Sequence, residues 1–486
     1  MMAINIFGMA VPRSFAFQRK LDRLPTATAL QNALKCRSKL GAAQLPQLAS
    51  LGMAPNARNK HSGARVRPVK AVDESSMPPI VLSNVPGTWA YDTMSRRIRE
   101  EILSRVFTEN EFSDAQLANL KALDEELQNA GESELRYIQQ DGGPDVDDWN
   151  DIMAPYVEAS SNWLDTPWLY AEFYFYRRII EAIGYFENAQ DPFLSQKQQG
   201  LSSAADIIAT LTTQLQGVVE ALPRAGEDGV RADLSLFVLT SLWGNRMDLS
   251  LWPADEDKSR AAEAFKQAIA VGEEQLLADD ITDVEATLMA ARGQGGQRMD
   301  IVVDNAGFEL LCDLCLADIL VMTGCAAPLV LQLKGHPTFV SDAMTHDVND
   351  TIDFLVELGG APALVGHRWR RHIDEGKWVL KEVMYWAQPL PFWEMPASVA
   401  EDLSESALVF QKGDANYRRL LGDRQWPMDQ PFAEVAGYYP APLCALRTLK
   451  AELGCGMSVE GMERAAKEDK DWQVDGRWGV IQLHKP

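Results

Sequence analysis

The chain has 486 residues, a formal net charge of −23, 46% hydrophobic residues and 24% charged residues. These values are ordinary for a soluble globular protein with two or three domains' worth of core, and the acidic balance argues against a general nucleic-acid binder. No apolar run approaches the roughly 18 residues that a membrane-spanning helix needs, so we predict a soluble protein that binds neither nucleic acid nor membrane.

The first 72 residues differ sharply in charge from the rest of the chain. They contain one acidic residue, Asp22, against twelve Lys and Arg, so this segment carries +11 and the remainder −34. A basic, nearly acid-free start rich in Ala, Leu and Ser is typical of an organelle transit peptide, and we favour the chloroplast over the mitochondrion. The alternative is a disordered basic tail on a cytosolic protein.

Helical periodicity dominates the next part of the chain and predicts a helical domain over residues 85–230. Amphipathic stretches lie around 96–107 and at 114–130, 147–152, 168–186, 201–221 and 229–250. The stretch 168–186 is aromatic on several sides, so we expect it to be buried or to line a cleft.

Short apolar runs alternate with helix-length segments from about residue 275 onwards, which predicts a mostly parallel sheet. The predicted strands are 286–289, 301–303, 329–333, 338–340, 407–411 and 443–446. We therefore predict an α/β protein with an N-terminal helical domain and a C-terminal three-layer α/β/α domain at 231–486. Helices around 235–250 are expected to bridge the two.

Oxygen-bearing side chains follow two of the predicted strands. Asp304 and Asn305 come directly after strand 301–303, and Asp342 follows strand 338–340. Because the carboxyl ends of parallel strands share one edge of the sheet, we expect these side chains to meet there. Two carboxylates and a carboxamide form an oxygen-only ligand set that favours a hard divalent cation.

Positive charge follows the last two predicted strands. Arg418 lies just beyond strand 407–411, and Arg447 and Lys450 lie at and beyond the end of strand 443–446. Lysine is a good point-charge partner for phosphate, so metal ligands and cations on one edge predict a site for a phosphorylated ligand. A divalent ion there would generate a hydroxide nucleophile and offset charge on the phosphoryl oxygens.

Simpler roles compete with these assignments. Asp304 would also suit a helix N-cap with Asn305 in the first helical turn. Asp347 is close enough in sequence to compete with Asp342 for the metal, and Lys450 would also fit a solvated helix position.

Four separated motifs resemble the damage-control phosphatase family, once known only as a domain of unknown function. They lie at 304–310, with Asp313 and Asp318 behind it, at 412–418, at 447–450 and at 241–250, which includes Asn245 and Asp248. Residues 447–450 match the branch of the family with an Arg-Thr-x-Lys motif. The resemblance covers about residue 80 to the C-terminus.

The resemblance implies a metal-dependent phosphatase of small phosphometabolites such as fructose 1-phosphate or fructose 6-phosphate. It implies manganese, nickel or cobalt as the cofactor, with magnesium as a further candidate, held by Asp304, Asn305 and Asp342. Asp304 and Lys450 are the implied catalytic residues, and either water or the Asp304 carboxylate attacks phosphorus. The residues implied in substrate binding are Asp304, Asn305, Gly413, Asp414, Ala415, Asn416, Tyr417, Lys450, Glu172 and Arg177.

Two other functions remain as alternatives. A eukaryotic relative has been described as a protein carboxyl methyltransferase, which makes an S-adenosylmethionine-dependent protein-glutamate O-methyltransferase the main rival. The glycine-rich run at 293–296 precedes its strand instead of following it, and this weakens the methyltransferase hypothesis. A non-catalytic sensor of sugar phosphates is the second alternative.

Overall fold

The computed structural model describes Val72, residues 74–244 and residues 272–486. Nearly all of the predicted transit segment lies outside these ranges, as do Asn245 and Asp248. The predictions made for those residues, including the organelle address and the far end of the bridging helix at 235–250, stay predictions.

Residues 74–244 are largely helical, as predicted. A continuous helix is formed by α1 (Trp89–Asp92), a π-helical segment (Thr93–Leu103) and α2 (Ser104–Glu109). It is followed by α3 (Asp114–Gln128), α4 (Val146–Glu158), α5 (Trp168–Ile183), α6 (Tyr185–Asn188), α7 (Leu194–Ser203), α8 (Ala205–Ala221) and α9 (Glu227–Trp243). Gly184 takes a left-handed conformation, φ 64°, and ends α5, because a residue without a Cβ adopts that region at little cost.

The second half alternates strands and helices. The strands are β1 (Leu276–Asp279), β2 (Gln297–Val302), β3 (Ala326–Lys334), β4 (Trp378–Val383), β5 (Leu408–Lys412), β6 (Leu443–Thr448) and β7 (Gly479–His484). The helices are α10 (Ile281–Gly293), α11 (Gly307–Met322), α12 (Thr345–Leu358), α13 (Gly360–Asp374), α14 (Ala397–Leu403), α15 (Asp414–Leu420), α16 (Phe432–Val435) and α17 (Val459–Glu468).

These strands form one sheet in the order β1-β7-β6-β5-β2-β3-β4. Strands β2 to β6 pair in parallel, whereas β7 runs antiparallel to β6 and parallel to β1. The predicted α/β fold with a mostly parallel sheet is therefore confirmed. From β2 the chain moves through β3 to β4 on one side and later returns to β5 and β6 on the other. The ends of β2 and β5 thus adjoin where the strand order reverses, the usual ligand position in such sheets.

Two of the six predicted strands are wrong. Residues 286–289 lie inside α10, so their short apolar run belongs to a helix and not to a strand. Residues 338–340 form a turn in which Phe339 and Val340 have positive φ angles of 45° and 66°, a conformation that cannot belong to a strand. Strands β1, β4 and β7 were not predicted.

The sheet is covered on both faces, which makes the three predicted layers. Side chains of β6 alternate between two cores: Leu443 and Ala445 belong to the core that includes α5, whereas Cys444 and Leu446 belong to the core that includes α9 and α11. Because α5 shares a core with the strands, the helical first half supports the sheet directly. The predicted domain boundary at residue 231 stays a prediction.

Among the described residues, no helix is both long enough and apolar enough to cross a membrane.

Candidate active site

A cavity of about 400 Å³ opens at the carboxyl ends of β2 and β5. The predicted site residues that line it are Glu172, Asp304, Asn305, Asp342, Asp414, Ala415 and Lys450. Segments far apart in sequence therefore converge at one edge of the sheet, as the strand ends predict.

Asp304 lies just past the end of β2 and is held by its backbone and by a neighbour just past the end of β5. Its carbonyl oxygen accepts a hydrogen bond of 2.9 Å from the backbone of Ala343. Gly413, at φ 85°, lies against the Asp304 side chain so closely that a Cβ there would overlap the carboxylate. Gly413 therefore clears the space for Asp304, which is how it contributes to the site.

Asp342 reaches the same place from the turn after β3 instead of from a strand. Asn305 and Asp342 face each other in a short backbone bridge, and Ala306 donates a hydrogen bond of 2.6 Å to the carbonyl oxygen of Ser341. The prediction that Asp342 follows a strand is wrong, but its predicted neighbourhood is right, because the bridge replaces the strand.

The orientation of the Asn305 amide is fixed by three hydrogen bonds. Its Nδ2 donates to Asp304 Oδ2 and to Glu309 Oε2, both at 2.8 Å. Its Oδ1 accepts from Ser341 Oγ at 2.6 Å. An amide oxygen has two lone pairs, so Oδ1 retains one for a ligand.

Negative charge is concentrated at this end of the cavity. Burial raises the pKa of Asp304 well above its usual range, and the carboxylates of Asp342 and Glu309 raise it further, against the opposing charge of Lys334. Burial also raises the pKa of Asp342, although Lys334 Nζ lies 2.8 Å from its Oδ2 and acts against the shift. A divalent cation between these carboxylates would relieve the repulsion between them.

The donor set fits a hard cation with an incomplete protein shell. In the described ranges, no group of three or more His, Cys, Asp or Glu side chains is placed to hold a metal ion. An ion at this position would therefore rely on Asp304, Asp342 and the Asn305 amide oxygen, with water or substrate oxygens completing its coordination. Mg²⁺ and similar ions commonly bind in this way.

The two cations of the Arg-Thr-x-Lys motif have different roles. Arg447 is buried, and its Nε donates to Asp414 Oδ1 at 2.7 Å. The same Oδ1 accepts from the backbone nitrogen of Lys450 at 3.1 Å. Lys450 lines the cavity, and its charge acts on Asp304 to lower the pKa of that carboxyl group. Arg447 therefore anchors the loop, and Lys450 presents its charge to the cavity.

Asn416 and Tyr417 lie close to the cavity but do not line it. Asn416 is buried and donates from Nδ2 to the Lys412 carbonyl oxygen at 3.0 Å. The Tyr417 hydroxyl donates to Gln482 Oε1 at 2.6 Å. Both side chains face the packed side of α15, so their implied contact with substrate does not fit this placement.

Arg177 is also directed away from the cavity. It is fully buried and pairs with Asp141 at 2.7 Å and Asp145 at 3.0 Å. Glu172, on the same helix, does line the cavity, where Arg418 Nη1 donates to its Oε2 at 2.7 Å. The substrate role implied for Arg177 does not fit this placement, whereas that implied for Glu172 does.

Several charged residues near the site were not predicted. Lys334 ends β3 beside Asp342, and Lys412 ends β5 with its Nζ 3.2 Å from Asp313 Oδ1 and 3.8 Å from Glu309 Oε1. Burial raises the pKa of Asp313 to about 7, although Lys412 acts against the shift. A lysine at the end of a strand was the available signal for both cations.

Comparisons with known proteins match this picture. Residues 80–465 match the family described as the damage-control phosphatase ARMT1-like domain. Damage-control phosphatase ARMT1 of Danio rerio is 34% identical over 364 residues, 71% of this chain and 81% of that protein. The Xenopus tropicalis protein of the same name is 31% identical over 443 residues, 84% of this chain and 99% of that protein.

One comparison with a solved structure is more distant. A DUF89 family protein from Pyrococcus horikoshii superposes with a TM-score of 0.40 at 12% identity, over 80% of this chain and 96% of that chain.

Proposed function

Because the chain belongs to the damage-control phosphatase family with an ARMT1-like domain, we propose that it is a metal-dependent phosphatase of small sugar phosphates. Membership makes it a phosphatase of phosphorylated metabolites in general terms. The proposal is narrower: the substrates are phosphate monoesters such as fructose 1-phosphate or fructose 6-phosphate, and hydrolysis needs a divalent ion such as Mn²⁺, Ni²⁺, Co²⁺ or Mg²⁺.

One observation carries the proposal: two buried carboxylates, an oriented amide and a lysine meet in one cavity at the reversal of the strand order. The cavity of about 400 Å³ is at the small end of the range of ligand sites and suits a monosaccharide phosphate better than a protein side chain with its backbone. Trp89, Trp168 and Phe339 add apolar walls that would pack against the carbon skeleton of a sugar.

The residues of the site divide into an acidic end and a cationic wall. Asp304, Asn305 and Asp342 would hold the ion, which when bound polarises the phosphoryl oxygens and offsets their charge. Lys450 is placed to donate a charge-assisted hydrogen bond to a phosphoryl oxygen, an interaction that strengthens as charge develops there.

Hydrolysis breaks the bond between phosphorus and the sugar oxygen, and that oxygen leaves with a proton. The attacking oxygen comes either directly from water or from the Asp304 carboxylate, in which case water releases phosphate in a second step. The stereochemical course at an isotopically chiral phosphoryl group separates these routes: direct attack by water inverts the configuration at phosphorus, whereas two successive displacements retain it.

The direct test is a screen of the purified full chain against a panel of phosphometabolites with Mn²⁺, Co²⁺, Ni²⁺ and Mg²⁺, each with and without chelator. We expect phosphate release that needs the ion and no cosubstrate. Methyl transfer from S-adenosylmethionine that tolerates chelator, with no phosphate release on any substrate, would replace the phosphatase proposal with the methyltransferase alternative. Binding without turnover would favour a sensor.

A further inference from the structure

The helix that closes one side of the cavity has an unusual backbone. Between α1 and α2 the residues Thr93–Leu103 are π-helical, and Ser104 donates its backbone hydrogen bond to Arg99, five residues earlier. π-helical turns are rare and occur frequently at functional sites. In this wider helix residues four apart stay on one face, and Trp89, Thr93 and Arg97 all line the cavity.

Arg97 is held on this face with much of its hydrogen-bonding capacity unused. Its guanidinium lies over the Trp89 ring, 4.4 Å from the centroid, and Nε donates to Glu101 Oε2 at 3.1 Å. Within residues 74–244 and 272–486, no hydrogen-bond acceptor engages its two terminal amino groups. Stacking therefore fixes the plane of the Arg97 guanidinium, and its two terminal amino groups remain available to donate hydrogen bonds.

Arg418, the other arginine in the cavity wall, is not available to bind a ligand in this way. Arg418 stacks on Trp168, 3.6 Å from the ring centroid, and is shared between Glu172 at 2.7 Å and Asp423 at 2.8 Å. Two buried carboxylates neutralise its charge. The cations of the wall that lack such an arrangement are Lys450 and Arg97.

The charge of Arg97 acts at the acidic end of the cavity. Burial raises the pKa of the Tyr176 phenol well above its usual range, the carboxylates of Glu172 and Asp342 raise it further, and Arg97 opposes them. Tyr176 packs on Phe339 with ring centroids 4.8 Å apart, and Phe339 belongs to the turn that carries Asp342. Arg97 and Asp342 therefore influence the same small region.

We propose that Arg97 is a phosphate-binding residue that donates from both terminal amino groups to two oxygens of the bound phosphoryl group. The inference rests on the proposed function for the identity of the ligand. A planar fork suits two oxygens of a tetrahedral oxyanion, whereas the ammonium of Lys450 acts as a point charge on the phosphoryl group.

The test measures binding of inorganic phosphate, so it needs no turnover. Calorimetric titration of the full chain with phosphate in the presence of Mn²⁺ is compared for the wild type, Arg97→Gln, Arg97→Lys and Arg96→Gln. Arg96 is the matched control, since it precedes Arg97 on the same helix but pairs with Asp92 and Glu101 at the surface. We expect Arg97→Gln to weaken phosphate binding about 10- to 100-fold, Arg97→Lys less, and Arg96→Gln not at all.

A second titration with free fructose tells a phosphate contact from a sugar contact. Arg97→Gln should leave fructose binding unchanged. Wild-type phosphate affinity in Arg97→Gln, or a loss confined to fructose, would overturn the proposal. Thermal unfolding of each variant checks that it folds, and Arg97→Lys keeps the comparison open if Arg97→Gln does not.

This outcome is separable from that of the proposed function. A wild type that binds phosphate through Arg97 but releases none from any substrate refutes only the phosphatase proposal. An active wild type whose Arg97→Gln variant binds phosphate normally refutes only the role of Arg97.

Discussion

Two buried clusters of charge in this molecule behave in opposite ways. In the cluster around Arg177, burial alone would raise the pKa of Asp145, but the hydrogen bond and charge of His336 and the charge of Arg177 outweigh it and hold that pKa at about 2. At the end of β2, by contrast, the pKa of Asp304 is raised well above its usual range by burial and by neighbouring carboxylates.

The two clusters differ in how fully their buried charges are paired. Arg177 lies between Asp141 and Asp145, so that cluster is complete and stabilises the fold. The cluster of Asp304 and Asp342 has more acid than local base, which costs stability unless a further cation binds. Burial of charge alone does not distinguish the two clusters, whereas the lack of compensating base does, and it makes Asp304 and Asp342 the candidate ion ligands.

The largest effect is expected for Asp342→Asn, which removes one negative charge but keeps an oxygen that accepts from Lys334. Ion-dependent phosphate release should fall to background, and Mn²⁺ affinity measured by calorimetry should fall with it, while the unfolding temperature stays close to that of the wild type. An active variant with unchanged Mn²⁺ affinity would remove Asp342 from the ion site.

Substitution of Arg177 in the other cluster should have the reverse effect: stability falls and activity is unchanged. Arg177→Ala leaves two buried carboxylates without their partner and should lower the free energy of unfolding by about 3–5 kcal/mol, measured by urea titration. Phosphate release per folded molecule should be unchanged. Loss of activity at unchanged stability would mean that Arg177 acts on substrate after all.

Lys450→Ala should have an intermediate effect on catalysis. Loss of a charge-assisted contact corresponds to about 1.5–3 kcal/mol in kcat/KM, with the unfolding temperature unchanged. Lys470→Ala is the matched control, because Lys470 is solvent-exposed and lies 3.5 Å from Asp471 at the surface. Equal activities of the two variants would place the phosphate contact elsewhere.

The smallest effect is a pH dependence of stability. Asp145 has a depressed pKa of about 2 in the folded state, so its stabilising contribution is present above the unfolded pKa near 4 and is lost as pH falls towards 2. Asp145→Asn should therefore cost about 2 kcal/mol of unfolding free energy at pH 7 and little at pH 2. Urea titrations of both proteins at several pH values measure this, and a pH-independent difference would contradict it.

Sequence reasoning found the site where side-chain chemistry follows a regular element. Asp304 and Asn305 come after a β-branched run that is a strand, and α11 follows at once, so the motif and its position at the end of a strand were predictable. Helix α5 was predictable because its aromatic residues repeat around the whole helix.

The remaining features depend on conformations that residue patterns do not encode. Thr338-Phe339-Val340 has strand-forming residues, yet Phe339 and Val340 adopt positive φ angles because the turn is held by its bridge to Asn305. Arg97 lies in a charged amphipathic stretch typical of a solvated face, and only the tertiary packing of this helix brings it to the cavity.

Two arginines, one in α5 and one in α15, show the same limit of prediction from sequence. Arg177 and Arg418 both lie near acidic residues in sequence, but tertiary contacts alone decide that Arg418 reaches the cavity wall and Arg177 does not.

The pairing of β5 beside β2 has a consequence for how the protein acquires activity during synthesis. A nascent chain that ends before residue 408 already contains all three candidate ion ligands, yet it lacks both Gly413 and Lys450. Strand β5 must then pair with β2, which lies far earlier in the chain, and β6, which precedes Lys450, must pair with β5. The pairing of β5 with β2 is long-range, so it carries a high loop-closure entropy and forms slowly. Competence to bind ion and phosphate together should therefore mature only after both β5 and β6 have joined the sheet, which makes ligand binding a reporter of late folding.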